Sequence, residues 1–434
     1  MRILSADLKG HIGKSVELQG WLHKKRLLGG LTFINVRDRK GIVQAVIKDK
    51  EEVDKLKGMQ VGTVLSISGN AIEEKRAPGG VELHDVKLEI MVPVTQEPPV
   101  EIDKPLSHKP ENLDTLFEHR AIGLRNLSEA KVFFVRSELL RLIREFLYDH
   151  DFIEIQSPKL VGSAAEGGAE VFKLDYFGKP ATLAQSPQLY KQVMVGVFER
   201  VFEIGPAFRA EPSATTRHVS EVTMLDIEMA FVVNHEEILD MIQDMLYFVL
   251  TKVWEQHGDI LKELKAPELV LKPKFPRYSM QQIHKLYQEA NKVDMSNEID
   301  LTPDEERWIC EYAKEHDGCE AVFATDLPKA KMKFYHMAKD DQSAYSADLL
   351  FRGLELATAP QREHRYDKLV EQMQAAGITM DDPGYKFYLQ AFKHGLPPHG
   401  GCGFGIDRLV EKTIGLGNIK EAILFPRDIN RLAP

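Results

Sequence analysis

Residues 205–230 read GPAFRAEPSATTRHVSEVTMLDIEMA, and the parsing of this stretch decides the fold of the larger part of the chain. An apolar run, VFERVFEIGPAF (197–208), delivers Arg209 and Glu211 at its end. The polar segment PSATT follows, then Arg217 and His218, then a second apolar run, VTMLDIEMAFVV (222–233). Two β-type runs joined by a short polar loop predict an antiparallel hairpin. Its charged side chains would project from strand ends and loop, where a rigid scaffold can aim them at a ligand. Arginines in that setting suit an anion, because the guanidinium fork matches phosphate or carboxylate.

Outward from the hairpin, the remaining strands are short and interspersed with amphipathic helices. Upstream, EAKVFFVRSELLRLIREFLYDHD has apolar residues at three- and four-residue spacing and predicts a long helix. FIEIQSPKLV predicts a short strand closed by Ser157-Pro158, and GSAAEGGAEVF a glycine-rich loop. QSPQLYKQVMVGVF predicts a helix beginning after Ser186, with Pro187 at a favourable first-turn position. Downstream, HEEILDMIQDMLYFVLTKVWEQHG is a second amphipathic helix. Residues 260 to about 340 are mixed, with EAVFATDL and KFYHMA read as strands and no chemistry above structure. SADLLFRGLELAT reads as one strand, and GCGFGIDRLVEKTIGL as a glycine-rich strand leading into a helix. The sum is an α+β domain: a mainly antiparallel sheet flanked by helices, over residues 128–434 with an insertion at about 260–340.

Residues 1–100 differ. VELQGWL (16–22), LTFINVRD (31–38), GIVQAVIK (41–48), GTVLSISGNAIEE (62–74) and VELHDVKLEIMV (81–92) are five strand-like runs, with the polar helical piece KEEVDKLKGM between the third and fourth. That order fits a five-stranded OB-fold barrel, which often holds single-stranded nucleic acid. Arg26, Arg37 and neighbouring lysines surround Phe33 on the second strand; either Phe33 stacks on unpaired bases or it belongs to the barrel core. The proline-rich stretch 101–127 reads as a hinge.

With 434 residues, 43% hydrophobic and 28% charged, the chain has ample material for two buried cores. A net charge of −10 argues against indiscriminate nucleic-acid binding, though not against RNA on a local basic face. Three scattered cysteines without a CxxC argue against a disulfide framework or zinc knuckle. The N-terminal stretch has no long apolar segment and no run approaches the roughly 20 apolar residues of a membrane helix. A cytoplasmic protein without membrane association is expected.

GFGIDR (403–408) lets backbone approach a ligand and places Arg408 at a helix start. It is neither a P-loop nor a dinucleotide fingerprint. Asp348 and Glu355, seven apart, would face opposite sides of a regular strand. A bulge near Gly353 would reunite them around Mg²⁺; otherwise Glu355 alone is the candidate ligand. Gln188 and Lys191, with Glu166 and Arg362, could line a pocket for a small zwitterion, or each could be a surface group. No HExxH, GxSxG or Cys/His nucleophile pattern is present.

In this order the residues resemble the class II aminoacyl-tRNA synthetases, and within them the shorter, archaeal-type aspartyl branch. VRSELLRLIREFLYDHDFIEIQSPKL is similar to motif 1, FRAE…TTRH…E to motif 2 and GFGIDRL to motif 3, with the more specific string AQSPQLYKQ between the first two. The resemblance implies ATP and Mg²⁺, L-aspartate, tRNA-Asp with tRNA-Asn as a second candidate, and a homodimer joined near Pro158. By matched position it implies catalysis by Arg209, Glu355 and Arg408, and ATP contacts from Arg209, Glu211, Arg217, His218, Val219, Glu355, Gly405, Ile406, Asp407 and Arg408. Mg²⁺ falls to Asp348 and Glu355. Glu166, Gln188, Lys191, Arg209, Thr358 and Arg362 would bind aspartate. In the barrel, Arg26, Phe33, Gln44 and Glu82 would bind the anticodon, and His23 and Pro78 would discriminate between tRNAs. Pro212-Ser213-Ala214, Ala359-Pro360 and Leu27 depart from the usual pattern. An asparaginyl enzyme, a tRNA-independent asparagine-making relative and a non-catalytic RNA-binding paralogue are the alternatives.

Overall fold

The structure is a computed structural model and describes residues 2–28, 31–104, 113–162, 170–212, 215–296 and 298–433. The chain divides into two compact units, Met1–Ala130 and Lys131–Ala433.

The first unit contains β1 (Ser15–Leu28), β2 (Leu31–Arg37), β3 (Ile42–Ile47), α1 (Lys50–Leu56), β4 (Val64–Glu73) and β5 (Val81–Val92). They close into a barrel in the order β1-β2-β3-β5-β4. Each expected strand is present, and β1 runs on to Leu28. Asp49 caps α1 by accepting from the Glu51 N–H at 2.9 Å. Alternation sets the interior: Thr32, Ile34 and Val36 point inward and Leu31, Phe33, Asn35 and Arg37 do not. β1 carries a bulge between Leu22 and Lys24, so His23 is the extra residue. Within the expected hinge lie α2 (Leu113–Glu118) and α3 (Arg120–Gly123).

The second unit begins along α4 (Leu127–Asp149), which leads into β6 (Ile153–Glu154), β7 (Leu160–Val161), β8 (Lys173–Tyr176), β9 (Lys179–Leu183) and α5 (Gln188–Phe198). The hairpin is β10 (Arg200–Phe208) and β11 (Glu221–Ala230), followed by α6 (His235–Glu263). Next come β12 (Arg277–Ser279), α7 (Met280–Asn291), α8 (Pro303–His316), β13 (Ala321–Thr325), β14 (Ser346–Phe351) and β15 (Leu354–Pro360). The chain ends with α9 (Tyr366–Ala375), α10 (Pro383–Lys393), β16 (His399–Gly405) and α11 (Ile406–Ile414). Eight strands form one sheet in the order β12-β13-β14-β15-β16-β11-β10-β6; only the β12–β13 and β10–β6 pairs are parallel.

One face of this sheet packs on α4 and α6. Leu225, Ile227, Ala347, Leu349, Phe351, Ala357, Cys402 and Phe404 share a core with Leu139, Ile143, Ile238, Ile242 and Leu246. The other face is left for the site. Close packing explains two of the glycines: a Cβ on Gly401 would stand 1.9 Å from the Ile227 carbonyl oxygen of the neighbouring strand, and one on Gly400 would stand 2.1 Å from the Ile238 side chain of α6. Those glycines serve strand and helix packing, whereas a Cβ on Gly403 or Gly405 would make only ordinary contacts, at 3.5 Å or more.

Three expectations need correction. SADLLFRGLELAT is not one strand but the β14–β15 hairpin, turned at Arg352 and Gly353, both with positive φ. FIEIQSPKLV splits into β6 and β7, which belong to different sheets. KFYHMA forms only isolated bridges, His336 with Arg362 and Ala338 with Ala344.

Candidate active site

Period-two alternation builds the site. Residues of β11, β14 and β16 whose neighbours enter the core present Met224, Asp226, Ser346, Asp348, Leu350, Gly403 and Gly405 to a cavity of about 430 Å³. Register sets Asp226 opposite Gly403 and Met224 opposite Gly405, so the glycines leave space beside the acid.

At one end, Gln188, Asp226, Thr358 and Arg362 line the cavity. Lys191 lies beneath it, fully buried, with Nζ donating to Asp226 Oδ1 and the Cys402 carbonyl, both at 2.8 Å, and 3.6 Å from Glu228 Oε2. Arg362 forks onto Glu228 through Nε (2.9 Å) and Nη2 (3.2 Å). Burial alone would raise the Glu228 carboxyl, but the Arg362 and Lys191 charges outweigh it and hold it below its usual range. The two cations therefore have two buried acids as partners, which the sequence reading of Lys191 and Arg362 did not include. The signal was available in VTMLDIEMA: two carboxylates at alternate positions of an apolar strand share a face and need counter-charges.

The other end collects the motif 2 loop. β10 and β11 pair from Phe208↔Glu221 onward, so Arg209, Glu211, Arg217 and His218 all belong to a connection longer than the expected short loop. All four line the cavity with Val219 and Arg408. Glu211 lies 3.8 Å from Arg209 and 3.9 Å from His218. Arg408 Nη1 donates to the Glu355 carbonyl at 2.7 Å, which fixes the guanidinium along β15. Two of the expected ATP residues have side-chain partners of their own, and Asp407 also lines the cavity. Ile406 is fully buried in the core. The Asp407 carboxylate accepts from Arg136 (2.5 Å) and the Thr223 N–H (2.8 Å), tying α11 to α4 and β11.

Asp348 and Glu355 do share a face. The turn brings Leu350 opposite Glu355, and the register shift after Leu349 leaves Leu356 as the extra residue. The bulge thus falls at Leu356, not near Gly353. Burial and then the Glu355 charge push the Asp348 carboxyl well above its usual range. Its buried Oδ1 has no hydrogen-bond partner among the described residues. An orphaned carboxylate oxygen beside a second carboxylate fits a hard divalent cation such as Mg²⁺, which needs only one or two protein carboxylates. No larger cluster of metal-ligand side chains occurs among the described residues.

The region read as purely structural contributes too. Asp300, Glu306, Lys331, Lys333, Tyr335 and His336 line the cavity. Glu306, in the first turn of α8, lies 3.5 Å from Arg217, and burial and the Glu355 charge raise its carboxyl. Nothing local in PDEERW announces this; only the fold brings α8 to the motif 2 loop.

Glu166, Ser213 and Ala214 lie outside the described residues. In the barrel, Arg26 pairs across to Phe33, and Asn35 to Gln44, on the outward side of β2; Phe33 is not part of the core. Gln44 donates to Glu82 at 2.8 Å, and His84 contacts the same carboxylate at 2.7 Å. Lys25 is committed to the Leu56 and Met59 carbonyls rather than to solvent. His23 is half-buried at its bulge, and burial with the Arg37 charge lowers its imidazole; Pro78 is exposed.

Comparison with known proteins follows the same division. Residues 112–429 match the family of class II tRNA synthetases (D, K and N), and residues 16–94 match the OB-fold nucleic acid binding domain. The aspartate–tRNA(Asp/Asn) ligase of Thermus thermophilus is 40% identical, covering 100% of both chains. The aspartate–tRNA(Asp) ligase of Pyrococcus abyssi is 39% identical over 97% of each. Asparaginyl-tRNA synthetase from Pyrococcus horikoshii, solved with asparaginyl-adenylate, superposes with a TM-score of 0.91 at 30% identity, covering 100% of both chains. No helix among the described residues is long and apolar enough to cross a membrane.

Proposed function

The chain belongs to the class II tRNA synthetases, enzymes that charge tRNA with an amino acid using ATP, and on that premise we propose that it activates L-aspartate and transfers it to tRNA-Asp. The observation that carries the choice of aspartate is the saturation of Glu228, the acceptor beside Arg362. Both Glu228 oxygens bond Arg362, and Asp226 Oδ1 bonds Lys191. What faces a bound side chain there is donor-rich, and Arg362 has Nη1 to offer. A β-carboxylate accepts from such donors; with Asp226 taken by the substrate ammonium, an amide NH₂ would be left without an acceptor, at a cost of about 1–3 kcal/mol. Asp226, which also faces the cavity, suits the substrate ammonium.

In the activation step the aspartate α-carboxylate attacks the α-phosphorus of ATP, bringing two anions together. Arg209 would neutralise them, and Arg408, held by the Glu355 carbonyl, would stack on the adenine while Glu211 reads it. Arg217 and His218 would take the outer phosphates. Asp348 and Glu355 would hold Mg²⁺, which supplies charge stabilisation on phosphate oxygens. No residue need act as a nucleophile or base; positioning and charge suffice. The terminal hydroxyl of tRNA then attacks the mixed anhydride. The decisive experiment is amino-acid-dependent pyrophosphate exchange. Exchange with aspartate and not asparagine is expected; exchange with asparagine alone would reverse the assignment.

The barrel is the natural seat of the anticodon, with Phe33 offered outward beside Arg26, Gln44 and Glu82. Phe33→Ala should weaken tRNA binding by about 1–3 kcal/mol, the worth of one stacked base. Exchange without tRNA should be unchanged. A shift in both would place Phe33 in a structural role instead. Whether tRNA-Asn is also charged would rest on His23 and Pro78, and charging purified tRNA-Asp and tRNA-Asn side by side tests it. Relatives named for either specificity stand at 40% and 39% identity, so similarity does not choose. We also propose a homodimer in a cytoplasmic setting. Phe134, Tyr148 and Ile153 are 41%, 52% and 46% exposed along α4 and the edge strand β6, apolar surface that a second copy would cover.

A further inference from the structure

We propose that His399, Gln192 and Tyr388, none of which reaches the cavity, are positioning residues for amino-acid activation, fixing which edge of the Gln188 amide faces the substrate. This rests on the reading that the amino acid occupies the Arg362 end of the cavity.

The chain of constraint starts at a backbone carbonyl. His399 Nδ1 lies 2.8 Å from the Pro397 oxygen, which can only accept, so Nδ1 carries the proton. A neutral imidazole then has an acceptor at Nε2. Burial pushes His399 down to about 4, so the ring stays neutral at ordinary pH. Gln192 Nε2 lies 2.9 Å from His399 Nε2, and as the only donor edge of that amide it must face the ring. The Gln192 oxygen is thereby turned the other way, where it accepts from Gln188 Nε2 at 2.9 Å and from the Tyr388 hydroxyl at 3.2 Å. Gln188, with its nitrogen held inward, presents Oε1 to the cavity it lines beside Asp226.

An oxygen acceptor next to a carboxylate is what an α-ammonium group needs; the opposite flip would set an NH₂ against it. His399, Gln192 and Tyr388 are fully buried, and Gln188 is nearly so. In such a setting each polar atom must find its partner, and reversing one amide would break several bonds at once. An ordinary glutamine at a pocket wall could turn either way. This one is given a direction by a histidine two links away.

The test is a split of kinetic parameters in pyrophosphate exchange. His399→Leu removes the acceptor that orients Gln192, and should raise the KM for aspartate about tenfold, with the KM for ATP and kcat within about twofold. His399→Gln, which restores an amide oxygen, should recover most of that loss. An unchanged aspartate KM in folded His399→Leu overturns the proposal. So does a parallel change in all three parameters without recovery in His399→Gln, which would mean a merely structural role. Should His399→Leu fail to fold, Tyr388→Phe removes one donor from the Gln192 oxygen and should raise the aspartate KM alone, about threefold; no change there is equally decisive against it. If wild-type protein gives no exchange with aspartate, the aspartate reading fails separately, and the same KM comparison is made with the amino acid that does support exchange.

Discussion

Lys191→Met is expected to lower aspartate-dependent exchange about a thousandfold and to destabilise the protein by about 3–5 kcal/mol. Both effects follow from one geometry. Lys191 is sealed beneath the cavity with Asp226 at 2.8 Å and Glu228 at 3.6 Å. Methionine keeps much of the volume but removes the cation, leaving Arg362 as the nearest counter-charge for two buried carboxylates. Breaking a buried pair from one side carries that full penalty, because the remaining charge stays desolvated. The kinetic loss adds the donor that an arriving β-carboxylate would use when the substrate ammonium competes for Asp226. Thermal denaturation and exchange assays on the same preparation separate the two. Adding Asp226→Asn to Lys191→Met should return a large part of the stability and none of the activity. Full aspartate activation by Lys191→Met would remove Lys191 from the amino-acid site.

Asp348→Asn should split stability and activity in opposite directions. Exchange should fall about a hundredfold or more, since one of the two carboxylates proposed for Mg²⁺ is gone. The metal-free protein should become more stable at neutral pH, by on the order of 1 kcal/mol. The sign follows from the direction of the shift. The Asp348 carboxyl is raised by burial and by Glu355, so its charged form is disfavoured in the fold. A raised carboxyl contributes stability that is present below its ordinary range and is lost as pH climbs through its folded value. Asparagine, which never charges, removes that dependence. The difference in stability between variant and wild type should therefore grow from acid to neutral pH, and saturating Mg²⁺ should narrow it by stabilising wild type alone. If the variant is less stable than wild type in EDTA at every pH, the two carboxylates do not repel as described.

Much of the fold was open to reading because it rests on local periodicity. The barrel strands alternate, α4 and α6 repeat at three and four residues, and a polar loop divides β10 from β11. Where the reading failed, the deciding contact was between residues far apart in sequence. Asp226 and Glu228 were passed over as strand residues, although two acids on one face of an apolar strand carry a cost only cations can offset. Glu306 had no local signature at all, since its meaning comes from α8 arriving beside Arg217. Asp407 and Ile406 were assigned to the nucleotide by their place in a motif. Their side chains also serve the joint with α4 and the core, while Asp407 lines the cavity as well. A motif marks where function gathers; it does not say which side chain in it faces the ligand.

The extra residue at Leu356 has a consequence for how this site tolerates change in length. Glu355 and Thr358 are an odd three residues apart, yet both face the cavity, because Leu356 takes up the odd step. A one-residue deletion at 356 would straighten β15 and leave Glu355 opposite Leu350, still on the cavity side, whereas a second deletion between Glu355 and Thr358 would turn one of them toward the core. The bulge is slack in the strand, enough to absorb the loss of one residue and no more.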